Sequence, residues 1–590
     1  MRWKIPPLEF FLSSRWLSIH FSLLAFLFQV LVLSRWRFLY PIIRVLFAGI
    51  VLLAIAALGK KAAREKRLIL CLLLIFVIRL PFYFHPRGLV TTSDNAMEAL
   101  QCLEMQDTHT APFFLLEQVK HMGTIKYLWG AFLNDFFGAS YLPYVLLQLG
   151  LFMAFLFVVY EIFSSSIEKT VLFLFILGNF AFIETCFDYS LSIRGAPYLE
   201  MIFFFVLGAA LFDFSFESKS RLFLSYYLVF FSIYIHPLSA LFVFSFIVCT
   251  VVWAIKSRRL IRNVLIMSAG LLAGLFHWFY YLLFAAKPVS SGAWEKMGIL
   301  PLSQLSLRSL GRFLENFWQT FKNILSYEFT YFHSIAPAGK IKVVLFYLNE
   351  AVILLSLAVF AAALVIVLAR ILRLLQKKIE FQVKEWVYLF YFFLLGCVLV
   401  KIFAFYPPHL EPRHNFDLMF LIMASYLLVF SRLLKGAPLR SWKAVLVVLL
   451  LLALAIPHTY YFWQNARHKD ASYSELMSAL SKNRVKYLAT DFIIAYCVYY
   501  FSQRKILVSD SLGPFTVTNF YPGMRTVVDE IPQDQKAYLF FSESYPSRPW
   551  HKKATEVIKV RVLDRLRKAG VAVRIVRLKD YLLFVPSPRT

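Results

Sequence analysis

Acidic and basic residues stand at the ends of several long apolar stretches, where a membrane-spanning helix would leave the bilayer. Asp94 follows one such stretch in "TTSDNAMEAL", residues 91–100. A carboxylate placed there can accept a proton from a substrate hydroxyl. The same position, followed by apolar residues at helical spacing, is also typical of a helix N-cap. This window alone leaves both interpretations open.

The basic residues near predicted span ends also have two interpretations. Arg194 and Arg413 stand beside apolar stretches, and Lys126 lies in the loop that follows Asp94. Such cations can stabilise a phosphate, but arginines at an interface also extend into the headgroups without binding a ligand. His236, in "IYIHPLSA", is typical of a turn before Pro237 as well as of a binding site.

No metal site or disulfide framework is predicted from the sequence. The histidines show no ligand spacing, and the six cysteines include no CxxC pair. A divalent metal and an organic cofactor are therefore not expected.

The composition indicates a polytopic membrane protein. Of 590 residues, 60% are hydrophobic and only 16% are charged. A bilayer core requires about 20 apolar residues per helix, and about thirteen stretches meet this requirement. They lie near residues 17–34, 40–58, 68–84, 141–162, 168–184, 195–214, 222–235, 237–255, 263–284, 343–369, 386–406, 414–431 and 443–463.

The net charge of +28 has a pattern that indicates topology. Basic residues concentrate in alternate short connections, at 60–67, 256–262, 370–384 and 432–443. By the positive-inside rule, these connections and the N-terminus are cytoplasmic. The basic residues are dispersed among membrane turns, which argues against a nucleic-acid surface.

This topology places the long polar segments on one extracytoplasmic side. They are residues 85–140, residues 285–342 and the tail from 464 to 590. An enzyme working at one membrane surface gathers its polar residues there, whereas a transporter distributes them along its spans. Residues 111–140 alternate aromatic and polar residues, which predicts short interfacial helices.

The tail has a different character from the rest of the chain. Its short strands are "VKYLAT", "KILVSD", "KAYLFF", "AVRIVRL" and "YLLFVP", with helices predicted near 491–502 and 553–569. This alternation predicts a small α/β domain with a partly parallel sheet. The predicted division is an N-terminal transmembrane hairpin (1–60), a transmembrane core (61–463) and an extracytoplasmic domain (464–590), which we expect to support the core or dock an acceptor.

Several motifs, in order, resemble one enzyme family. Asp94 is followed by "APFFLLEQVKHMG" at 111–123 and "FFGAS" at 136–140. This arrangement resembles the first large loop of bacterial GT-C glycosyltransferases of the protein-mannosyltransferase or aminoarabinose-transferase type, which are family 39-like. "IRGAPYLE" at 193–200 and "EPRHNFDLMFLIMASYLL" at 411–428 resemble later stretches of these enzymes. The residues that carry the resemblance of the first loop are Asp94, Phe113, Phe114, Gln118, Gly123, Gly138, Ala139 and Ser140.

The chain departs from the family pattern at several positions. Many relatives pair two acids in the first loop, whereas Asn95 follows Asp94 here and Glu98 lies one helical turn further on. His414 stands where the family often has tyrosine, and Asp417 where it often has proline. The departure at Asn95 argues against a metal held by adjacent acids.

The resemblance implies a membrane glycosyltransferase with a GT-C-like helical fold. An acceptor hydroxyl would attack the anomeric carbon of a polyprenyl-phosphate-linked sugar with inversion, at the outer face of a bacterial inner membrane. The acceptor would be a protein, glycan or lipid. Asp94 would be catalytic, and the substrate-binding residues would be Gln118, Lys126, Arg194, His236, Arg413 and His414. A transporter or flippase of lipid-linked sugars and a non-catalytic membrane scaffold remain the alternatives.

Overall fold

The fold is mostly helical and ends in a mixed β-sheet. It is described by a computed structural model. The residues that the structure describes are 14–34, 37–64, 66–89, 93–110, 123, 125–138, 141–163, 198–212, 214–255, 260–284, 307–325, 339–376, 383–404, 415–433, 442–512, 522–542 and 549–587.

Fifteen α-helices precede the sheet in this part of the chain. They are α1 (Ser14–Ser34), α2 (Leu39–Arg64), α3 (Lys66–Tyr83), α4 (Ser93–Thr108), α5 (Ile125–Phe137), α6 (Leu142–Phe163), α7 (Tyr198–Leu211), α8 (Lys219–Ile235), α9 (Ser239–Ala254), α10 (Leu260–Phe284), α11 (Leu307–Leu325), α12 (Gly339–Leu375), α13 (Val383–Ala404), α14 (Phe416–Leu433) and α15 (Trp442–Lys482). A 3-10 turn, η1 (Pro86–Leu89), lies between α3 and α4.

The apolar helices make this chain an integral, multi-pass membrane protein. Within the described residues, four segments are long and apolar enough to cross a bilayer. They are Trp16–Leu33, Leu142–Tyr160, Glu350–Leu375 and Glu385–Phe403. Helices are also present at the other predicted spans, except at 168–184, which lies outside the described residues. The number of spans and the sides of the termini stay predictions.

Helices α7, α8 and α10 pack closely in the membrane bundle. Gly274 of α10 lies against the backbone of α8, because a Cβ at this position would be 2.6 Å from the carbonyl oxygen of Tyr227. Small residues at such contacts allow two helix backbones to approach, and van der Waals packing then drives association in lipid. The Tyr227 hydroxyl also donates to Gln29 of α1 over 2.8 Å, which connects the first helix to this packing.

The N-terminal hairpin α1–α2 is part of the helical bundle. Phe47 of α2 stacks on Trp129 of α5 with ring centroids 5.3 Å apart, and Phe21 of α1 contacts the same indole edge-on at 5.6 Å. An ion pair joins Arg44 of α2 to Asp135 of α5. The hairpin therefore covers one side of α5.

Helix α5 differs from the predicted interfacial helix in its surroundings. Ile125 to Phe132 are all buried. The helix contacts α2, α4 and α6, so protein surrounds it on several sides. The alternation of aromatic and polar residues indicated an amphipathic helix on the bilayer surface, but it does not reveal that other helices cover the polar positions.

The last helix of the bundle runs directly towards the sheet. Helix α15 extends over 41 residues. The predicted domain boundary at residue 464 therefore falls inside one continuous helix, and the chain leaves it only after Lys482.

Residues 487–587 form a C-terminal α/β unit. Its strands are β1 (Tyr487–Ala489), β2 (Leu507–Ser509), β3 (Ala537–Phe541), β4 (Ala572–Arg577) and β5 (Tyr581–Ser587). Its helices are α16 (Phe492–Phe501), α17 (Pro522–Glu530) and α18 (Pro549–Lys568). The strand order is β2-β1-β3-β5-β4. Strand β1 pairs in parallel with β2 and β3, and β5 pairs antiparallel with β3 and β4. The predicted strands and the partly parallel sheet are thus present.

Candidate active site

Helix α4 carries the predicted catalytic carboxylate. The helix begins at Ser93, so Asp94 lies in its first turn, where a helix tolerates a negative charge well. The structure describes the backbone of Asp94 but not its side chain. Glu98 follows one turn later on the same face, because residues four apart in a helix lie one above the other.

Glu98 forms a buried ion pair with a predicted substrate-binding residue. The Lys126 ammonium of α5 donates to the Glu98 carboxylate over 2.7 Å. The exposed fraction is 4% for the lysine side chain and zero for the glutamate side chain. Charges removed from water to this extent are stable only when they are paired. The pair therefore fixes α4 against α5. It also holds a cation beside the second turn of α4, which follows the turn that contains Asp94.

A second carboxylate is buried near the same lysine. Glu200 lies in the first turn of α7 and is 1% exposed. The charge of Lys126 acts on it electrostatically. Within the described part of the chain, Glu200 Oε1 is buried without a hydrogen-bond partner. Buried carboxylate oxygens usually have a partner, so this one indicates a site that a ligand or proton completes.

Aromatic residues enclose this group of charges. The Tyr127 hydroxyl is fully buried, and burial raises the pKa of Tyr127 well above its ordinary value, with a smaller contribution from the Glu98 charge. Tyr127 therefore stays protonated. The Lys126 ammonium lies 5.5 Å from the centre of the Tyr127 ring, a favourable distance for a cation–π contact.

His236 lies at the turn between α8 and α9, beside the start of α7. Its ring centroid is 4.7 Å from that of Tyr198, which is two residues before Glu200. The backbone N–H of Leu238 donates to His236 Nδ1 over 3.2 Å, so this nitrogen acts as an acceptor. The N–H of Gly123 donates to the Ile235 carbonyl over 3.0 Å and connects the segment before α5 to this turn.

The structure brings some of the predicted site residues together. Lys126 pairs with Glu98 of α4 and acts on Glu200 in the first turn of α7, and His236 contacts Tyr198 in the same turn of α7. The remaining predicted residues lie outside the described residues; they are Gln118, Arg194, Arg413 and His414. Their roles stay predictions.

Glu200 is the site residue that sequence reasoning did not select. The signal was present, because "YLEMIFFF" places an acid in an otherwise apolar helix, and such residues usually have a partner or a function. Glu98 was seen only as a spatial substitute for a second loop acid. Its pairing with Lys126 depends on how α4 and α5 pack.

A partly buried ion pair lies near the start of α14. The Lys401 ammonium of α13 donates to both Asp417 oxygens over 2.9 and 3.0 Å. The Asp417 carboxylate connects α13 to α14 directly after the segment that contains Arg413 and His414.

The arrangement can provide proton transfer and charge stabilisation at one place. The Asp94 carboxylate, in the first turn of α4, can accept a proton. Lys126 of α5, which pairs with Glu98 one turn further along α4, can stabilise an anion. Among the described residues, no group of three or more His, Cys, Asp and Glu side chains is arranged to hold a metal ion.

Two solved structures of ArnT from Cupriavidus metallidurans are similar to this chain. The structure bound to undecaprenyl phosphate aligns with a TM-score of 0.48 and 9% identity, covering 88% of this chain and 98% of that chain. The apo structure aligns with a TM-score of 0.43 and 10% identity, covering 87% and 97%. No family model and no curated protein matches the chain. ArnT is thus a protein to which this chain has a distant structural similarity.

Proposed function

We propose that this protein is a membrane glycosyltransferase that moves a sugar from a polyprenyl-phosphate donor to an extracytoplasmic acceptor. The observation that carries the proposal is the buried group of Glu98, Lys126 and Glu200. Glu98 lies one helical turn from Asp94 on α4. Burying three ionisable side chains costs several kcal/mol, roughly, even after pairing. Perturbed, buried charges of this kind concentrate at functional sites.

The proposed reaction uses these residues in two roles. The acceptor hydroxyl attacks the anomeric carbon while the bond from that carbon to the phosphate oxygen breaks. Asp94 takes the hydroxyl proton, and the phosphate leaves with the electron pair of the broken bond. The attack on the face opposite the phosphate inverts the anomeric centre.

Lys126 is suited to the departing phosphate. An ammonium has three N–H donors, so one can bind Glu98 while another binds a phosphate oxygen. A departing phosphate carries negative charge that several cations stabilise better than one. We propose that Arg194 and Arg413 supply further positive charge. Gln118, His236 and His414 would bind the remaining polar groups of the substrates.

Placement at the membrane edge is consistent with a lipid-linked donor. The polyprenyl tail partitions into the bilayer and keeps the reactive carbon close to the headgroup level. We propose that the C-terminal α/β unit lies on the same side and that no divalent metal takes part. Transfer is then expected to persist in excess EDTA.

The test is sugar transfer by the purified chain in lipid, from a panel of polyprenyl-phosphate sugars to membrane extracts. Asp94→Asn is compared with wild type at matched folding, and Asp564→Asn, an exposed Asp in α18, is the matched control. We expect Asp94→Asn to lose about 10²- to 10⁴-fold in rate, the usual contribution of a general base.

Three outcomes contradict the proposal. Equal transfer by wild type and Asp94→Asn would leave Asp94 as an acid of the first turn of α4 without a catalytic role. Movement of labelled lipid-linked sugar across a vesicle membrane without transfer would favour a flippase. Absence of both activities would favour the scaffold alternative.

A further inference from the structure

The segment that leads into α4 is fixed against the end of α15. His85 Nδ1 lies 3.2 Å from Asp470 Oδ2, and the Arg87 guanidinium donates to Ser474 Oγ over 3.4 Å. Both partners lie on α15, in the stretch just before the C-terminal α/β unit. These contacts hold η1, only four residues before the first residue of α4.

Gly88 allows the backbone of η1 to lie directly against the backbone of α15. A Cβ at residue 88 would overlap the carbonyl oxygen of Ala466 and would lie 2.5 Å from its carbonyl carbon and 2.8 Å from its Cα. All of these are backbone atoms of α15, so no side-chain rotation can relieve the overlap. Any residue other than glycine at position 88 must therefore move η1 away from α15.

The other end of α4 is fixed against the α/β unit itself. Arg504, which follows α16, pairs with Asp107 in the last turn of α4 over 2.7 Å. One turn earlier, Tyr500 lies in α16, and this helix packs against α4. The Tyr500 ring also contacts Tyr141 with centroids 6.4 Å apart. Helix α16 thus follows the C-terminal half of α4.

We propose that the end of α15 and the C-terminal α/β unit form a brace that positions α4, with Gly88 as a positioning residue for Asp94 and Glu98. This inference rests on the proposed function. A helix of 16 residues is marginal in isolation, so its placement depends on what it packs against. The brace holds α4 at both ends, and the Glu98–Lys126 pair holds it in between.

The consequence for catalysis follows from the sensitivity of reacting groups to position. A displacement of about 1 Å can cost about 10²-fold in rate. Relief of the overlap at residue 88 requires a shift of about this size next to the first turn of α4. The turnover number should therefore fall, while the donor KM, set mainly by the lipid tail in the bilayer, should change little.

The experiment compares Gly88→Ala with Gly150→Ala in the full-length protein in lipid nanodiscs. Gly150 lies in α6 with nothing within 4 Å of an added Cβ, which makes it a matched control. We expect Gly88→Ala to lower kcat by about 10- to 100-fold, with an unchanged donor KM and faster amide hydrogen exchange in residues 93–108. Gly150→Ala should match wild type in all three. Unchanged exchange in α4, or full activity of Gly88→Ala, would overturn the brace.

A second pair of variants covers the case in which Gly88→Ala does not fold. Asp107→Arg and Arg504→Asp each place like charges together and should speed exchange at the end of α4 by a few-fold. The combined exchange Asp107→Arg with Arg504→Asp should restore the wild-type rate. Failure to restore it would overturn the contact at that end.

The two proposals fail in distinguishable ways. If wild type shows no sugar transfer, the proposed function fails, but hydrogen exchange still reports whether Gly88 and Arg504 hold α4. If wild type transfers sugar and α4 exchange is insensitive to both sets of variants, only the brace fails.

Discussion

Replacement of Lys126 by methionine tests the electrostatics of the candidate site. Glu98 has no exposed side-chain surface, and Lys126 pairs with it over 2.7 Å. Removing one partner of a buried ion pair typically costs about 3–5 kcal/mol, because the remaining charge stays buried without compensation. We therefore expect Lys126→Met to lower the free energy of unfolding by about this amount.

The double variant Glu98→Gln with Lys126→Met removes both charges. It should regain most of the lost stability. A deficit of about 1–3 kcal/mol should remain, because the new amide at position 98 is buried and Glu200 has lost the nearby charge of Lys126. Denaturant unfolding in mixed micelles, followed by tryptophan fluorescence, measures all the free energies. The proposed function predicts that this double variant is stable but does not transfer sugar.

Arg370→Met is the matched control, because it breaks the pair with buried Glu385 at the end of α12 and the start of α13, away from the candidate site. It should also lose stability, but the folded fraction should transfer sugar at the wild-type rate. The reasoning is refuted if Lys126→Met is as stable as wild type, or if the double variant is no more stable than Lys126→Met.

Two further predictions concern the C-terminal unit and the bundle. Burial raises the pKa of Asp510 above its ordinary value of 3.8, and this effect exceeds the opposing effect of Arg525. Above pH 3.8 the unfolded chain therefore loses the Asp510 proton more readily than the folded chain, and the free energy of unfolding falls as the pH rises. Asp510→Asn should therefore raise the free energy of unfolding at pH 7, with the gain disappearing below pH 3.8; equal stability at pH 7 would contradict this. Gly274→Ala should lose about 1–3 kcal/mol to overpacking against α8, whereas Gly396→Ala, with nothing within 4 Å of the added Cβ, should not; equal unfolding free energies would contradict the close helix contact.

The secondary structure followed from local patterns. Apolar stretches of about 20 residues predict helices because only a helix satisfies its own backbone groups in lipid. The strands of the tail followed from short β-branched and aromatic runs such as "KILVSD". Two features of the structure lie beyond these local patterns. The patterns could not show that α15 continues past residue 464, or that α5 is covered by other helices.

The candidate site was only partly predictable. Lys126 and His236 were selected from their positions at predicted span ends and loops, and Asp94 from the resemblance of its loop to a glycosyltransferase family. Glu200 was not, because a single acid in an apolar helix does not indicate which cation will face it. The partner of Lys126 depends on the crossing of α4 and α5, which is set by packing between residues far apart in the chain.

The sequence by itself determined which segments enter the membrane and where polar chemistry lies along the chain, because hydropathy and charge act locally on each segment. Only the tertiary structure decided that Glu98, Lys126 and Glu200 share one buried place. Only the tertiary structure, too, placed Gly88 against Ala466. These contacts join segments far apart in sequence, and their free energy comes from burial and charge pairing that exist only once the helices have packed.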